Sequence, residues 1–168
     1  MTDDLVKYDD PLLRTHLRKF DFDGDMDPRT LVDMMHVIRE TNGGIGLAAN
    51  QIGINAQVFV VGTSDWRQEF INPESIELHG EMIYLEEGCL SFPELYVKVK
   101  RPKGVTLTYF DADGTIHNNS FDGMTSRVIQ HELDHLKGKT FEEIANPYHL
   151  EKAKKRRDLN TRRSVSGF

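Results

Sequence analysis

The 168-residue chain is 38% hydrophobic and 29% charged, the balance of one folded domain and not of a disordered segment. Its single cysteine excludes an internal disulfide and any zinc site that needs two thiolates from one chain. With 21 Lys and Arg against 27 Asp and Glu the net charge is -6, which argues against a generic nucleic-acid binder and gives no expectation of specific DNA binding.

The acidic start, Met1 to Asp10, lacks the basic-then-apolar pattern of a signal peptide, and no apolar run approaches a membrane span. A cytoplasmic protein with no membrane partner is the expectation. The first strong element is a helix over 28–41. Asp27 suits its N-cap and Pro28 its first position. Leu31, Met34, Met35 and Ile38 make one stripe at helical spacing, expected to be buried, and Gly43-Gly44 stops the helix. Short strands are predicted at Gln57–Val61, Glu69–Ile71, Met82–Leu85, Tyr96–Lys100, Val105–Phe110 and Thr115–Phe121. Asp111-Ala112-Asp113-Gly114 reads as the turn of a hairpin. A second helix is predicted over Met124–Lys137, ended by Gly138, and a third over Pro147–Asp158. Strands flanked by helices indicate an α+β fold with mostly antiparallel sheet.

Charge is unevenly spread, since residues 151–168 hold seven basic and two acidic side chains. A basic C-terminal helix or flexible tail, 147–168, is therefore expected beyond a domain of 1–146. The plain reading of that tail is a solvated terminus, and the sharper one is contact with a polyanion such as RNA.

Three short stretches carry chemistry. Gln130-His131-Glu132-Leu133-Asp134-His135 contains His-Glu-x-x-His. Residues four apart share a helix face, so His131 and His135 can meet one metal ion. Glu132 lies about 100° round the helix, where a general base belongs. Such a metal needs a third protein ligand. Downstream, His149, Glu142, Glu143 and Glu151 are available, none in a convincing helical frame. Upstream, Glu87-Gly88-Cys89-Leu90-Ser91 puts the lone thiol in a turn after a strand. Cys89 alone would be read as buried filler; beside the helix motif, a thiolate ligand is the better reading. Finally, Gly43 to Gly53 is glycine-rich but matches neither a dinucleotide fingerprint nor a phosphate loop, and reads as a plain turn in which Gln51 can offer an amide N–H to an oxyanion.

In this order the three stretches resemble the peptide deformylases, which carry blocks like Gly44 to Gln51, Glu87 to Ser91 and Gln130 to His135. Asp10 to Arg14 also looks like their N-terminal block, and the resemblance spans about residues 5–145. It implies antiparallel sheets packed around a central metal-binding helix, with an N-terminal helix and a C-terminal helix or tail. It implies one divalent metal per chain on Cys89, His131 and His135, with water as fourth ligand. Ferrous iron is the expected metal, with zinc, nickel or cobalt as substitutes. Glu132 would be the acid and base, and the Gln51 side chain and Leu90 N–H would hold the oxyanion. Ile45, Gly46, Glu87, Gly88 and Val128 would bind substrate, with Glu87 and Arg101 as a supporting ion pair. The implied reaction removes the N-formyl group from the formyl-methionine of new peptides and releases formate. The basic run 152–157 would touch the ribosome by analogy only. The competing readings are a small metallopeptidase using the same two histidines and a structural metal site in an RNA- or ribosome-binding module. Three positions depart from the commonest family pattern. Asn50, for a frequent proline, is expected only to loosen its turn; Phe92 replaces a smaller aliphatic residue; Arg127 leaves the lining of the methionine pocket open.

Overall fold

The computed structural model describes residues 5–165; residues 1–4 and the last three of the expected tail, 166–168, lie outside the described residues. Helix α1 spans Pro28–Thr41. The Asp27 side chain accepts a hydrogen bond from the Thr30 N–H, as its cap position predicts. Five strands follow: β1 (Gly46–Ala48), β2 (Val58–Gly62), β3 (Arg67–Cys89), β4 (Phe92–Phe110) and β5 (Ile116–Asp122). Helices α2 (Gly123–Leu136), α3 (Phe141–Ile144) and α4 (Pro147–Val165) complete the chain. All strand pairs are antiparallel, in one sheet ordered β1-β2-β3-β4-β5.

The expected α+β class holds, with three local differences. Glu69–Ile71 and Met82–Leu85 belong to one strand, β3, and Tyr96–Lys100 and Val105–Phe110 to another, β4. Pro73 and Pro102 look like breaks in the sequence. Here they sit where the β3–β4 register shifts, and bulges accommodate proline within a ladder. Asn72 and Ser75 take up the distortion at positive φ, and the Asn72 amide pins the bend by exchanging hydrogen bonds with the Phe20 backbone. Second, residues 46–48 form a short edge strand where a plain turn was expected. Third, α4 runs on to Val165, past the expected end at Asp158. The predicted hairpin turn is present, with the Asp111 carboxylate accepting from the Asp113 and Thr115 N–H groups.

Strand β2 is buried along its whole length because both faces are covered. Phe59 and Val61 join Ile129, Leu133 and Leu136 of α2 in one core cluster, while Val58 and Val60 join Leu31, Val32 and Met35 of α1 in another. The buried face of α1 is thus rotated from the expected stripe. Met34 is exposed, whereas His36 and Arg39 are buried. Arg39 turns inward because it donates to two carbonyls, Gly44 at 2.8 Å and Gly62 at 2.7 Å, which fixes the loop entering β1. A third cluster joins Phe92, Leu95, Val97 and Val99 of β4 to Phe141 of α3 and Ala153 of α4. Helix α2 touches β1, β2, β4 and β5, so its inner face is held on several sides before any site chemistry begins.

Candidate metal centre and substrate cavity

Strand β3 beyond Ile71 pairs only with β4, and β1 is the sheet's edge strand. Two backbone edges thus border a cavity of about 500 Å³. Every site residue expected from the sequence lines it except His135 and the supporting Arg101, both buried.

Cys89 ends β3, and the tight turn Leu90-Ser91 leads straight into β4, with Cys89 opposite Phe92. Helix α2 brings His131 and His135 to the same point. One potential ligand atom from each of the three residues lies within 4.8 Å of the other two. The Cys89 sulfur is 3.3 Å from His135 Nε2. His131 Nδ1 is 3.0 Å from Glu87 Oε1, an arrangement that leaves Nε2 as its coordinating nitrogen.

The electrostatics suit a cation. Burial disfavours a charged His131, yet hydrogen bonds to Cys89 and Glu87 raise its pKa well above the usual imidazole value. A positive charge is therefore favoured between the sulfur and that carboxylate. Burial, followed by the charges of His131 and Arg101, pushes His135 well below its ordinary value, and neutral imidazole is the form that ligates metals. A thiolate with two imidazoles is also a three-ligand catalytic donor set. These residues fit a metal ion.

Glu87 supports the cluster from behind. Both its oxygens receive Arg101, at 2.8 and 3.0 Å, and Arg127 adds a bond at 3.1 Å. Burial alone would raise Glu87, but hydrogen bonds from His131 and Arg101 outweigh it and hold its pKa at about 2. Arg101 continues to Asp134 at 2.7 Å, so the carboxylate next to His135 in the chain joins the same network.

Glu132 contrasts with Glu87. It is 3% exposed, its Oε2 has no hydrogen-bond partner, and burial raises its pKa to about 7. A carboxyl poised near neutrality can both accept and return a proton. Its closeness to β1 depends on Gly46, where a Cβ would collide with the Glu132 carboxyl and with Val128. The amide of Gln51 is oriented from the other side. Its Oε1 accepts from the Ala48 N–H at 2.9 Å, which turns Nε2 toward Cys89 at 3.4 Å and Ser91 at 3.3 Å.

The three unusual positions also find their places. Asn50 does more than loosen a turn. It is fully buried and donates to the His135 carbonyl at 3.0 Å, tying the residues after β1 to the end of α2. Phe92 packs edge-on against Phe141. Arg127 lines the cavity, but its guanidinium is held by Glu87 and by the carbonyls of Val99 and Ile83, at 2.9 and 2.6 Å. Sequence reasoning missed the parts played by Arg127, Asp134 and Asn50. Asp134 lay inside the recognised helix motif; Arg127 and Asn50 bind carbonyls distant in sequence, for which no local signal exists.

The alternative third ligands stand elsewhere. Glu142 and Glu143 pair with Arg14, Glu151 pairs with Lys155, and the His149 ring packs on Tyr84. Among the described residues, only Cys89 joins the two helix histidines in a potential metal-binding group.

Fold and site together define a hydrolase whose His-Glu-x-x-His helix works with a cysteine from a neighbouring strand. The polypeptide deformylase family matches residues 2–150. A peptide deformylase of Cytophaga hutchinsonii is 39% identical over 160 residues, covering 90% of this chain and 84% of that protein. Peptide deformylase 2 of Xanthomonas campestris pv. campestris is 36% identical, covering 90% and 92%. The crystal structure of a Synechococcus elongatus peptide deformylase in complex with actinonin superposes with a TM-score of 0.85 at 34% identity, covering 92% of this chain and 85% of that one. The chain belongs to the peptide deformylase family, whose members are metal-dependent hydrolases. No helix among the described residues is long and apolar enough to cross a membrane.

Proposed function

We propose that this chain hydrolyses the N-formyl group from the formyl-methionine of newly made peptides, with Cys89, His131 and His135 holding one divalent ion. The observation that carries this reading is the three-residue donor cluster beside a buried, unpartnered Glu132. The ion, ferrous iron in the cell and zinc, nickel or cobalt as substitutes, supplies the Lewis acidity that makes water nucleophilic near neutral pH. Glu132 takes the proton released by water and delivers it to the departing amine. The Gln51 Nε2–H and the Leu90 N–H donate to the oxyanion, and one such donor is worth roughly 3 kcal/mol. The edges at Ile45–Gly46 and Glu87–Gly88 hold the peptide as an added strand, and Val128 borders the methionine side chain. Glu87 fixes the orientation of His131, and Arg101 and Arg127 fix Glu87.

We read 1–146 as the catalytic domain and 147–168 as its basic extension, with a cytoplasmic location and ribosome contact through the exposed face of α4. Electrostatics favour that contact, since α4 carries the basic run 152–157, of which Lys152, Lys155 and Arg156 are exposed. The decisive experiment incubates anaerobically prepared protein with a formyl-Met-Ala-Ser peptide. Formate release proportional to bound metal is expected. Cleavage of an internal peptide bond without formate would overturn the reading in favour of a metallopeptidase.

A further inference from the structure

A second cavity, of about 420 Å³, lies between the β3–β4 ribbon and α4. Glu86 and Tyr96 line both cavities, so the two are neighbours separated by one wall. Three of its other six lining residues are cations, Lys98, Lys152 and Arg156; the remainder are Tyr148, His149 and Ala153. Arg156 is engaged by Glu86 at 3.2 Å and by the Tyr96 carbonyl at 2.9 Å. Lys98 and Lys152 are exposed and have no carboxylate within ion-pair distance among the described residues. His149, also at the wall, has an Nδ1 without a hydrogen-bond partner. Two unpaired lysines thus face one cavity in a chain of net charge -6.

Its position relates it to substrate. Glu86 precedes Cys89 by three strand residues, about 10 Å at the usual rise. A peptide that starts at the Cys89 cluster and runs back along the free edge of β3 therefore spends about three residues in the first cavity. Its next residues cross the wall at Glu86 and Tyr96. Resting on the deformylase reading above, we propose that the second cavity is an accessory substrate site for residues four to six of the new peptide, and that it selects acidic side chains there. A carboxylate in this position meets Lys98 and Lys152, whereas a lysine is repelled by both. The site acts on capture and not on the chemical step, because none of its cations approaches the reacting atoms.

The test compares four formylated peptides at low salt. Formyl-Met-Ala-Ser stops before the wall; three hexapeptides extend it with three aspartates, three serines or three lysines. Expected is a kcat/KM about three- to tenfold higher for the aspartate than for the serine peptide, residing in KM and shrinking as salt is added. The lysine peptide falls below both. In a Lys98→Glu/Lys152→Glu double variant the order reverses, while turnover of formyl-Met-Ala-Ser stays unchanged and reports an intact fold. A Lys98→Gln/Lys152→Gln pair, expected to level the three hexapeptides, serves if the charge reversal disturbs folding. Equal kcat/KM for the aspartate and serine peptides, or a preference that survives both double variants, overturns the accessory site. Absence of formate from the short peptide overturns the deformylase reading itself, and the accessory site with it.

Discussion

Glu86 and Glu87 are chain neighbours on β3, yet they face opposite ways and serve different ends. Glu87 points inward, where two arginines and a histidine surround it at 2.8 to 3.1 Å. Glu86 points outward and makes one ion pair with Arg156, both partners roughly half exposed. The residue types are the same and the distances similar; the surroundings differ. A buried charge that loses its partner has no water to turn to, whereas an exposed one does. The inner face of the ribbon is thus built to hold a geometry, and the outer face to present charge at little cost in stability. Strand alternation alone places both within one residue of each other.

The sharpest break of this contrast uses the third carboxylate, Glu132, which is as buried as Glu87 but unpartnered. Glu132→Gln removes the proton carrier while leaving the three ligand side chains in place. Turnover of a formyl-Met peptide is expected to fall by about 10²- to 10⁴-fold. Metal content, measured by elemental analysis, should stay at the wild-type level. Turnover close to wild type would take the proton-transfer role from Glu132. Next in size is Glu87→Ala, which leaves Arg127 in the interior without a carboxylate and Arg101 with Asp134 alone. Urea unfolding should show a loss of about 3–5 kcal/mol. Metal affinity should weaken by roughly 10- to 100-fold as His131 loses its orienting partner. Glu86→Ala in the same assays is the matched control, with less than about 1 kcal/mol expected.

What could be read from sequence follows the same division between local and distant partners. Helix α1 was legible because its cap, Asp27-Pro28, and its apolar spacing are local. The turn at Asp111 to Gly114 and the α2 motif were legible for that reason too, and Cys89 entered as the lone thiol able to complete that motif's donor set. Strand β1 was not, because three residues within a glycine-rich stretch carry no periodicity. The continuity of β3 and β4 was hidden by Pro73 and Pro102, whose cost the bulges absorb. Arg39, Asn50 and Arg127 are polar residues whose buried donors meet carbonyls brought to them by folding, at Gly62, His135 and Val99. Such pairings exist only after the chain is assembled.

A third test carries the contrast to α1. His36 is 1% exposed, and burial, helped by the charges of Arg39 and Arg67, lowers its pKa to about 4 from an ordinary 6.5. The unfolded chain therefore takes up a proton at His36 before the folded one does. The stability this neutral histidine preserves is fully present above about pH 6.5 and is lost as the pH falls toward about 4, by roughly 3 kcal/mol. Unfolding measured across that window should show the decline, and His36→Leu should flatten it. An unchanged slope in the variant would assign the acid sensitivity to other groups.

The smallest expected effect is Arg156→Ala. The change removes the exposed pair with Glu86 and the hydrogen bond to the Tyr96 carbonyl, but α4 keeps its apolar contact with β4 through Leu150 and Ala153. Both lost partners can be solvated, so the cost should stay below about 1 kcal/mol, a fall in Tm of about 2–4 °C. Adding salt should shrink the gap between the variant and wild type, because the exposed pair is screened. Turnover of formyl-Met-Ala-Ser should be unaffected. A loss rivalling that of Glu87→Ala would mean that Arg156 seats α4 on the ribbon, and that the outer face shares in holding the site.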